Sequence, residues 1–363
     1  MRVAIDAREL CGKRTGVGTY LAALLGQWDY MPEAREHEWR LYVPEPGPPA
    51  GVRAANATWR TVPGPATTWW EQRALPRALA EDRPDVLFAP GYTAPLVSRV
   101  PCVLTVHDVS FFAHPEWFGR REGWRRRFLT RLSARRARSV LTDSEFSRRE
   151  IVRFTGAQPS RVRVIYPGVS AAEQAAPNAR DRQPRPPVVL YVGSIFNRRR
   201  VPDLIRAFAA AAGSAPAAML EIVGDNRTHP REDLSALAAS LGVGSRVRVR
   251  AYVDDDTLQA LYEHASVFAF LSEYEGFGFT PLEALSHGVP AVVLDTPVAR
   301  EIYDDAAMYV GSGDIVGTAV ALTRLLSDSA ARATLLDAGA RLLPRYSWTT
   351  AARETLGALE AAR

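Results

Sequence analysis

The sequence predicts an α/β protein built as two Rossmann-like, doubly wound parallel sheets facing each other across a cleft. Three observations carry that expectation. Short β-branched or apolar runs alternate with amphipathic stretches along most of the 363 residues. An aperiodic segment at 171–187, AAEQAAPNARDRQPRPP, holds four prolines and interrupts the alternation, which then restarts. The length also exceeds what one core fills, since single cores rarely grow past about 250–300 residues.

Taken in order, the first half offers strands at 2–5, 39–43, 85–89, 102–106, 140–142 and 162–165, with helical stretches such as 20–28 and 70–79 between them. Continuous apolar strands suit a parallel sheet buried on both faces. Residues 171–187 read as a linker. Strands then follow at 188–192, 219–223, 247–249, 267–271 and 291–294, several ending at glycine. A last helix spans 348–362, capped by Ser347. In such sheets ligands bind outside the carboxyl ends of strands, so the loops there are where chemistry is expected.

Composition narrows the function classes. Hydrophobic residues make up 47% and charged residues 23% of the chain, which suits a globular fold and argues against disorder. The net charge is +5, yet Lys13 is the single lysine, a bias that points to a GC-rich genome before it points to nucleic acid. Two cysteines, Cys11 and Cys102, are too few for a disulfide framework and lack metal-ligand spacing, so a reducing cytosol is expected. The first residues, MRVAIDAREL, alternate like a strand and do not resemble a signal peptide. No apolar run approaches the ~18 residues of a membrane span.

The segment SEYEGFGFTPLEALSHGVP at 272–290 carries the most chemistry. It follows an apolar strand and enters a helix expected to begin near Pro281 and end before Gly288. Gly276 and Gly278 let the backbone approach a ligand, and the amides of Phe279 and Thr280 at the helix start form an anion site. Glu275 and Glu283 stand eight residues apart, placed to accept hydrogen bonds from sugar or ribose hydroxyls. Taken singly, Glu275 could instead cap the helix and Glu283 be a solvated helix residue.

This spacing resembles the Glu-x7-Glu signature of the retaining glycosyltransferases of family 4, which have the GT-B fold. The resemblance covers nearly the whole chain. It implies an acceptor domain over 1–170, rejoined by the helix at 347–363, and a nucleotide-sugar donor domain over 188–346. It also assigns Phe277 to the donor loop. The run TGVGTY at 15–20 resembles the family's loop over the donor diphosphate, with Gly16 and Gly18 expected in a tight turn that opens a helix. In LTVHDVSFFAHPEWF at 104–118, His107 corresponds to a histidine that contacts the donor sugar, and Asp108 lies near the reacting centre. His114 falls on the acceptor side or merely stabilises a turn. In YVGSIFNRRRVPDLIRAF at 191–208, Arg198 and Arg199 stand where an arginine and a lysine neutralise the diphosphate, with Arg200 in place of asparagine.

Weaker matches keep the same order: TDSEFSRREI at 142–151, YPGVS at 166–170, VGD at 223–225 and REIYDDAAMYV at 300–310. Two departures stand out. Ala251 replaces a glycine beside the base pocket, and Arg300 replaces a proline before Glu301.

Residues 120–138 hold nine arginines and one glutamate. That local charge of +8 exceeds the whole chain's, so the remainder is net acidic. Trp124, Phe128 and Leu132 recur at four-residue spacing. Either they pack inward beneath a solvated arginine face, or Trp124 with Arg125, Arg126 and Arg127 docks on anionic phospholipid. No stacking platform or recognised module supports nucleic acid.

The resemblance therefore implies transfer of a hexose from a nucleoside diphosphate sugar, GDP-mannose before others, to a glycan, glycolipid or natural-product hydroxyl with retention. The expected catalytic residues are His107, Asp108 and Glu275; the donor contacts are Gly16, Gly18, Arg198, Arg199, Phe277, Gly278, Phe279, Thr280 and Glu283. No cofactor or metal is expected, since arginines meet the phosphate. The expected location is cytoplasmic, with peripheral contact at the inner face of the membrane. A hydrolase or epimerase on the same fold is the alternative, and a basic nucleic-acid-binding protein a remoter one.

Overall fold

The computed structural model describes residues 1–12, 16–47, 52, 54–169 and 187–363. The chain forms two compact units, Met1–Gly168 with Tyr346–Arg363, and Val169–Arg345. The expected linker at 171–187 lies, apart from Pro187, outside the described residues.

The first unit runs β1 (Arg2–Asp6), α1 (Gly16–Trp28), β2 (Glu38–Val43), β3 (Ala57–Thr61), α2 (Leu75–Asp82), β4 (Val86–Ala89), β5 (Cys102–Thr105), α3 (Ser110–Ala113), α4 (Arg120–Arg136), β6 (Ser139–Thr142), α5 (Glu145–Thr155) and β7 (Val162–Val164). The second runs β8 (Val188–Val192), α6 (Val201–Ala211), β9 (Met219–Val223), α7 (Leu234–Ser240), β10 (Val247–Arg250), α8 (Asp255–His264), β11 (Val267–Phe270), α9 (Phe279–Ser286), β12 (Ala291–Leu294), α10 (Pro297–Tyr303), β13 (Ala307–Val310), α11 (Ile315–Ser327) and α12 (Ser329–Leu342). The last helix, α13 (Trp348–Ala362), belongs to the first unit.

In the first unit seven parallel strands follow the order β3-β2-β1-β4-β5-β6-β7. β4 and β6 are buried at every position because both faces of the sheet are covered. On one face α1 and α13 bury Leu21, Leu24, Leu25, Leu356 and Leu359. Trp28 stacks on Trp39 at 4.5 Å and donates its indole N–H to the Ala352 carbonyl at 3.0 Å, tying α1 to α13. Ser347 caps α13 by accepting from the Thr350 amide. A Cβ on Gly168 would lie 2.2 Å from the Trp348 nitrogen, so only glycine lets the end of this unit's continuous run pass the start of α13.

The second sheet has six parallel strands in the order β10-β9-β8-β11-β12-β13. Both sheets are wound outward in two directions from a switch point, between β1 and β4 in one and between β8 and β11 in the other. Crevices open beside such points at the carboxyl ends of the strands. Two strands lie outside the sequence expectation. β3 is an edge strand whose residues are mostly half-buried, and β13 is the four-residue AMYV, so neither shows a long apolar run.

Candidate functional site

At the second unit's switch point the loop after β8 meets the loop after β11. Gly224 carries φ 154°, and a Cβ there would fall 1.9 Å from the Gly193 carbonyl oxygen, so the strand ends approach at backbone distance. The Glu273 amide donates to the Arg198 carbonyl at 2.9 Å and joins the two loops directly. Arg199 Nε then donates to Glu275 Oε1 at 2.9 Å, and another guanidinium nitrogen reaches the Ser194 carbonyl at 3.0 Å. Ser272 donates its hydroxyl to the same Glu275 oxygen at 2.8 Å.

The sequence reading has Arg199 meet the diphosphate; in the structure its side chain is turned to Glu275. The Arg199 side chain is 16% exposed, its guanidinium lies 5.1 Å from the Phe270 ring centroid, and it pairs with Glu275. Burial opposes its charge, but Glu275 more than offsets that and holds it protonated. Arg199 therefore fixes the orientation of Glu275. Arg198 instead lies with its guanidinium 4.6 Å from the Phe196 ring, on the segment that opens toward α6. Arg200, in the left-handed region at φ 47°, pairs with Asp203 at 2.6 Å and with Glu273 at 2.7 Å, so the third arginine locks the loop.

The α9 helix starts at Phe279, two residues earlier than expected, because Gly278 takes the cap position with φ 88°. Gly278 has no side chain to cap the helix, so the backbone amides of Phe279 and Thr280 stand at a helix N-terminus. A Cβ on Gly278 would meet the Tyr303 hydroxyl at 2.2 Å, and that hydroxyl donates to the Gly278 carbonyl at 2.8 Å. Thr280 Oγ1 is buried without a hydrogen-bond partner. The Phe277 ring is buried against Phe279, so that residue can offer a ligand little besides its backbone. Glu283 accepts from the Tyr262 hydroxyl at 3.0 Å, and burial holds its carboxyl above the usual range despite that bond. Tyr262 in turn stacks on His287 at 5.0 Å. Of the two departures, Arg300 forms paired contacts of 2.7 and 2.8 Å with Asp295, and Ala251 is exposed.

In the first unit His107 lies two residues past the end of β5. Its Nδ1 is 2.7 Å from Asp143 Oδ2, and its Nε2 is 2.9 Å from the Pro90 carbonyl oxygen, which follows β4 at the switch point. The Tyr20 ring from α1 meets the imidazole edge-on at 4.9 Å, and Tyr92 does so at 5.6 Å. Both nitrogens are thus engaged, and a sugar hydroxyl would have to displace the Pro90 bond. Asp108 accepts from the Ser110 amide at 2.7 Å and the Tyr92 hydroxyl at 3.0 Å, so its carboxylate shapes this turn. Gly16 and Gly18 do not form a turn. They occupy the first turn of α1, and Thr15 lies outside the described residues.

Sequence reasoning missed Asp143, Tyr262 and Tyr303, and also a buried charge cluster beside β1. There Arg8 reaches Glu71 at 2.7 Å and Asp6 at 3.3 Å. Burial pushes the Asp6 carboxyl up to about 6. The available signals were the acidic residues immediately ending β1 and following β6.

The profile described as "Glycosyltransferase Family 4" matches residues 14–173, and that described as "Glycosyl transferases group 1" matches residues 173–341. The two meet at residue 173, four positions past the start of the second unit at Val169. The chain belongs to glycosyltransferase family 4. Among relatives of this glycosyltransferase, the O-antigen chain mannosyltransferase B of Escherichia coli is 26% identical over 70% of this chain and 69% of its own. The D-inositol 3-phosphate glycosyltransferase of Salinispora tropica is 34% identical over 55% of this chain and 46% of its own, so that match spans under half of the relative. Two solved structures share the GT-B fold. Anabaena Alr3699/HepE in complex with UDP and glucose superposes with a TM-score of 0.75 at 20% identity, covering 99% of this chain and 100% of that one. WaaG, a glycosyltransferase involved in lipopolysaccharide biosynthesis, gives 0.74 at 19% identity, covering 99% of each chain.

The arginine-rich segment of this glycosyltransferase forms α4, and its aromatic stripe does not pack inward. Trp124 is 63% and Phe128 47% exposed, stacked on one another at 5.3 Å. The buried positions are instead Gly123, Thr130, Ser133 and Ala134, small residues that let the helix sit close to its neighbours. Arg127 donates to the Phe111 carbonyl, while Arg131 and Arg135 donate to Phe154 and Thr155 carbonyls at the end of α5. Arg126 pairs with Glu122 at 2.7 Å. Arg125 contacts Thr68, whose neighbour Trp69 is 55% exposed. His114 stacks on Trp117 at 3.9 Å and contacts Glu116, a local turn role. Among the described residues no helix is long and apolar enough to cross a membrane.

Proposed function

We propose that the enzyme transfers a hexose from a nucleoside diphosphate sugar to an acceptor hydroxyl with retention, GDP-mannose being the favoured donor. The Arg199–Glu275 pair on the loop that leads into the glycine-capped start of α9 carries this reading. A carboxylate held by a buried guanidinium can accept sugar hydroxyls in one fixed orientation. The neighbouring amides of Phe279 and Thr280, with Arg198, meet the diphosphate as charge develops on it, which is electrostatic stabilisation of the leaving group. The unpartnered Thr280 hydroxyl supports an oxygen-rich ligand there. Glu283, with one oxygen held by Tyr262, accepts from ribose hydroxyls. His107 supplies an imidazole for the reacting sugar once the Pro90 bond gives way.

In this proposal arginine neutralises the phosphate without a metal, the leaving phosphate takes the acceptor proton, and no carboxylate nucleophile intervenes. Trp69, Trp124 and Phe128, with Arg125 and Arg126, rest on an anionic membrane carrying a lipid-linked acceptor, which suits a cytoplasmic enzyme at the inner face. The names of the mannosyltransferase and lipopolysaccharide relatives support a glycan or glycolipid acceptor. The test is a thermal-shift panel of nucleotides and nucleotide sugars, followed by transfer assays on the best binder. GDP-mannose should stabilise most, and a product with inverted anomeric configuration would overturn retention.

A further inference from the structure

The first unit contains a cavity of about 570 Å³ at the amino-terminal ends of β5 and β6, the sheet edge opposite His107. Its floor is the start of β5 at Cys102, the start of β6, the last turn of α4 and the end of α13. One wall is the segment from Ala94 to Pro101, anchored where the Leu96 amide donates to Gln72 at 3.0 Å and the Ala94 amide donates to the buried Ser133 hydroxyl at 3.1 Å. Four arginines line it, Arg99, Arg136, Arg138 and Arg363, and no acidic side chain does. Among the described residues none of the four makes an ion pair or a side-chain hydrogen bond.

Within the arginine-rich segment Arg126, Arg127, Arg131 and Arg135 have partners, whereas Arg120 and Arg121 are exposed as the cavity arginines are. All four arginines are exposed at the rim of this one concavity, where their like charges repel only weakly through water and a multivalent anion can engage several of them at once. Their planar donor forks match phosphate oxygens. The volume lies in the range of small-molecule sites, about 300–1,000 Å³, and exceeds what a lone inorganic ion needs. The apolar remainder, from Pro95, Leu96, Val100 and Ala137, offers a surface for the organic part of such a ligand.

We propose that this cavity binds a phosphate-bearing ligand of at least two negative charges, at a site separate from the donor loops. The site does not depend on the proposed transfer reaction. Its ligand is either a soluble phosphate ester or the headgroup of an anionic lipid.

The probe is inorganic pyrophosphate, followed by titration calorimetry and by hydrogen exchange on the full chain. Pyrophosphate should protect backbone amides at 94–102 and 136–139, and Arg99→Gln/Arg136→Gln/Arg138→Gln should weaken that binding class at least ~10-fold, the loss expected for charged hydrogen bonds. Arg149→Gln/Arg161→Gln/Arg163→Gln, removing equal charge elsewhere on the same unit, should leave it unchanged. An absence of protection at these segments overturns the site in the unaltered protein, whatever the variants do. Equal weakening by both triple variants also overturns it, since charge alone would then suffice. Phosphatidylglycerol vesicles, compared with phosphatidylcholine vesicles, separate the two sources. Weaker association of the cavity variant assigns a lipid headgroup, and unchanged association with lost pyrophosphate binding assigns a soluble ester.

Discussion

The His107 imidazole is clamped between Asp143, 2.7 Å from Nδ1, and the Pro90 carbonyl, 2.9 Å from Nε2. Both neighbours are acceptors, so the ring satisfies both only when doubly protonated. Burial lowers its pKa, but the Asp143 charge and hydrogen bond, the Pro90 bond and the nearby Asp108 together raise it above the ordinary value of 6.5. Because the folded pKa is the higher one, the stabilisation is complete below the unfolded pKa and is lost as pH rises through the folded one. Asp143→Asn should bring the imidazole midpoint below that of the wild type, read from ring-proton chemical shifts against pH. An unchanged midpoint would show that Asp143 does not set the charge.

Glu275→Ala should reduce turnover by at least ~100-fold, the scale of losing one electrostatic contact at a reacting centre. It also leaves the Arg199 guanidinium buried and unpaired, so thermal stability should fall by about 3 kcal/mol or more. Glu275→Gln keeps an acceptor for Ser272 without the charge and should fold better while remaining slow. Steady-state kinetics beside calorimetric melting separates the two effects.

At Gly278, alanine meets two obstacles, a left-handed φ of 88° and a 2.2 Å approach to the Tyr303 hydroxyl. The backbone conformation alone costs about 1–2 kcal/mol. Gly278→Ala should therefore destabilise by more than that, and adding Tyr303→Phe, which removes the clashing oxygen, should recover part of the loss. A double variant no more stable than the single alanine variant would assign the whole effect to the backbone.

The Asp6 carboxyl, raised to about 6 by burial, binds its proton more tightly folded than unfolded. Stability contributed by this group is present at low pH and declines as pH rises from about 4 to 6. Denaturant unfolding across that window should show the decline, and Asp6→Asn should flatten it.

Membrane association should fall when Trp124 and Phe128 are both changed to alanine, or when Arg125, Arg126 and Arg127 are changed together to glutamine. Co-sedimentation with phosphatidylglycerol vesicles measures it. Hydrolysis of the bare donor should be spared, because these residues lie on α4 and not in the donor loops. Retained vesicle binding in both variants would leave α4 as a surface element only. Separately, chelation with EDTA should leave transfer activity unchanged, as arginine neutralisation requires.

The alternating apolar runs alone determined two parallel α/β sheets, and nearly every interior strand lies where its run of buried residues stands. The glycines and glutamates of 272–290 marked the loop that enters α9 for the same local reason, since strand, glycine cap and helix follow one another in sequence. What the tertiary structure decided is how charges are shared. Arg198 and Arg199 are neighbours in sequence, yet one lies over Phe196 and the other is buried on Glu275, 76 positions away. Asp143 reaches His107 from the next strand, 36 positions on. The aromatic spacing of α4 left an inward and an outward stripe open to the sequence, and packing chose Gly123, Ser133 and Ala134 for the inner face because small side chains allow closer contact with neighbouring elements. Periodicity reports burial along one element. Pairing between elements depends on which strand ends meet, and that is decided only when the sheet closes its order.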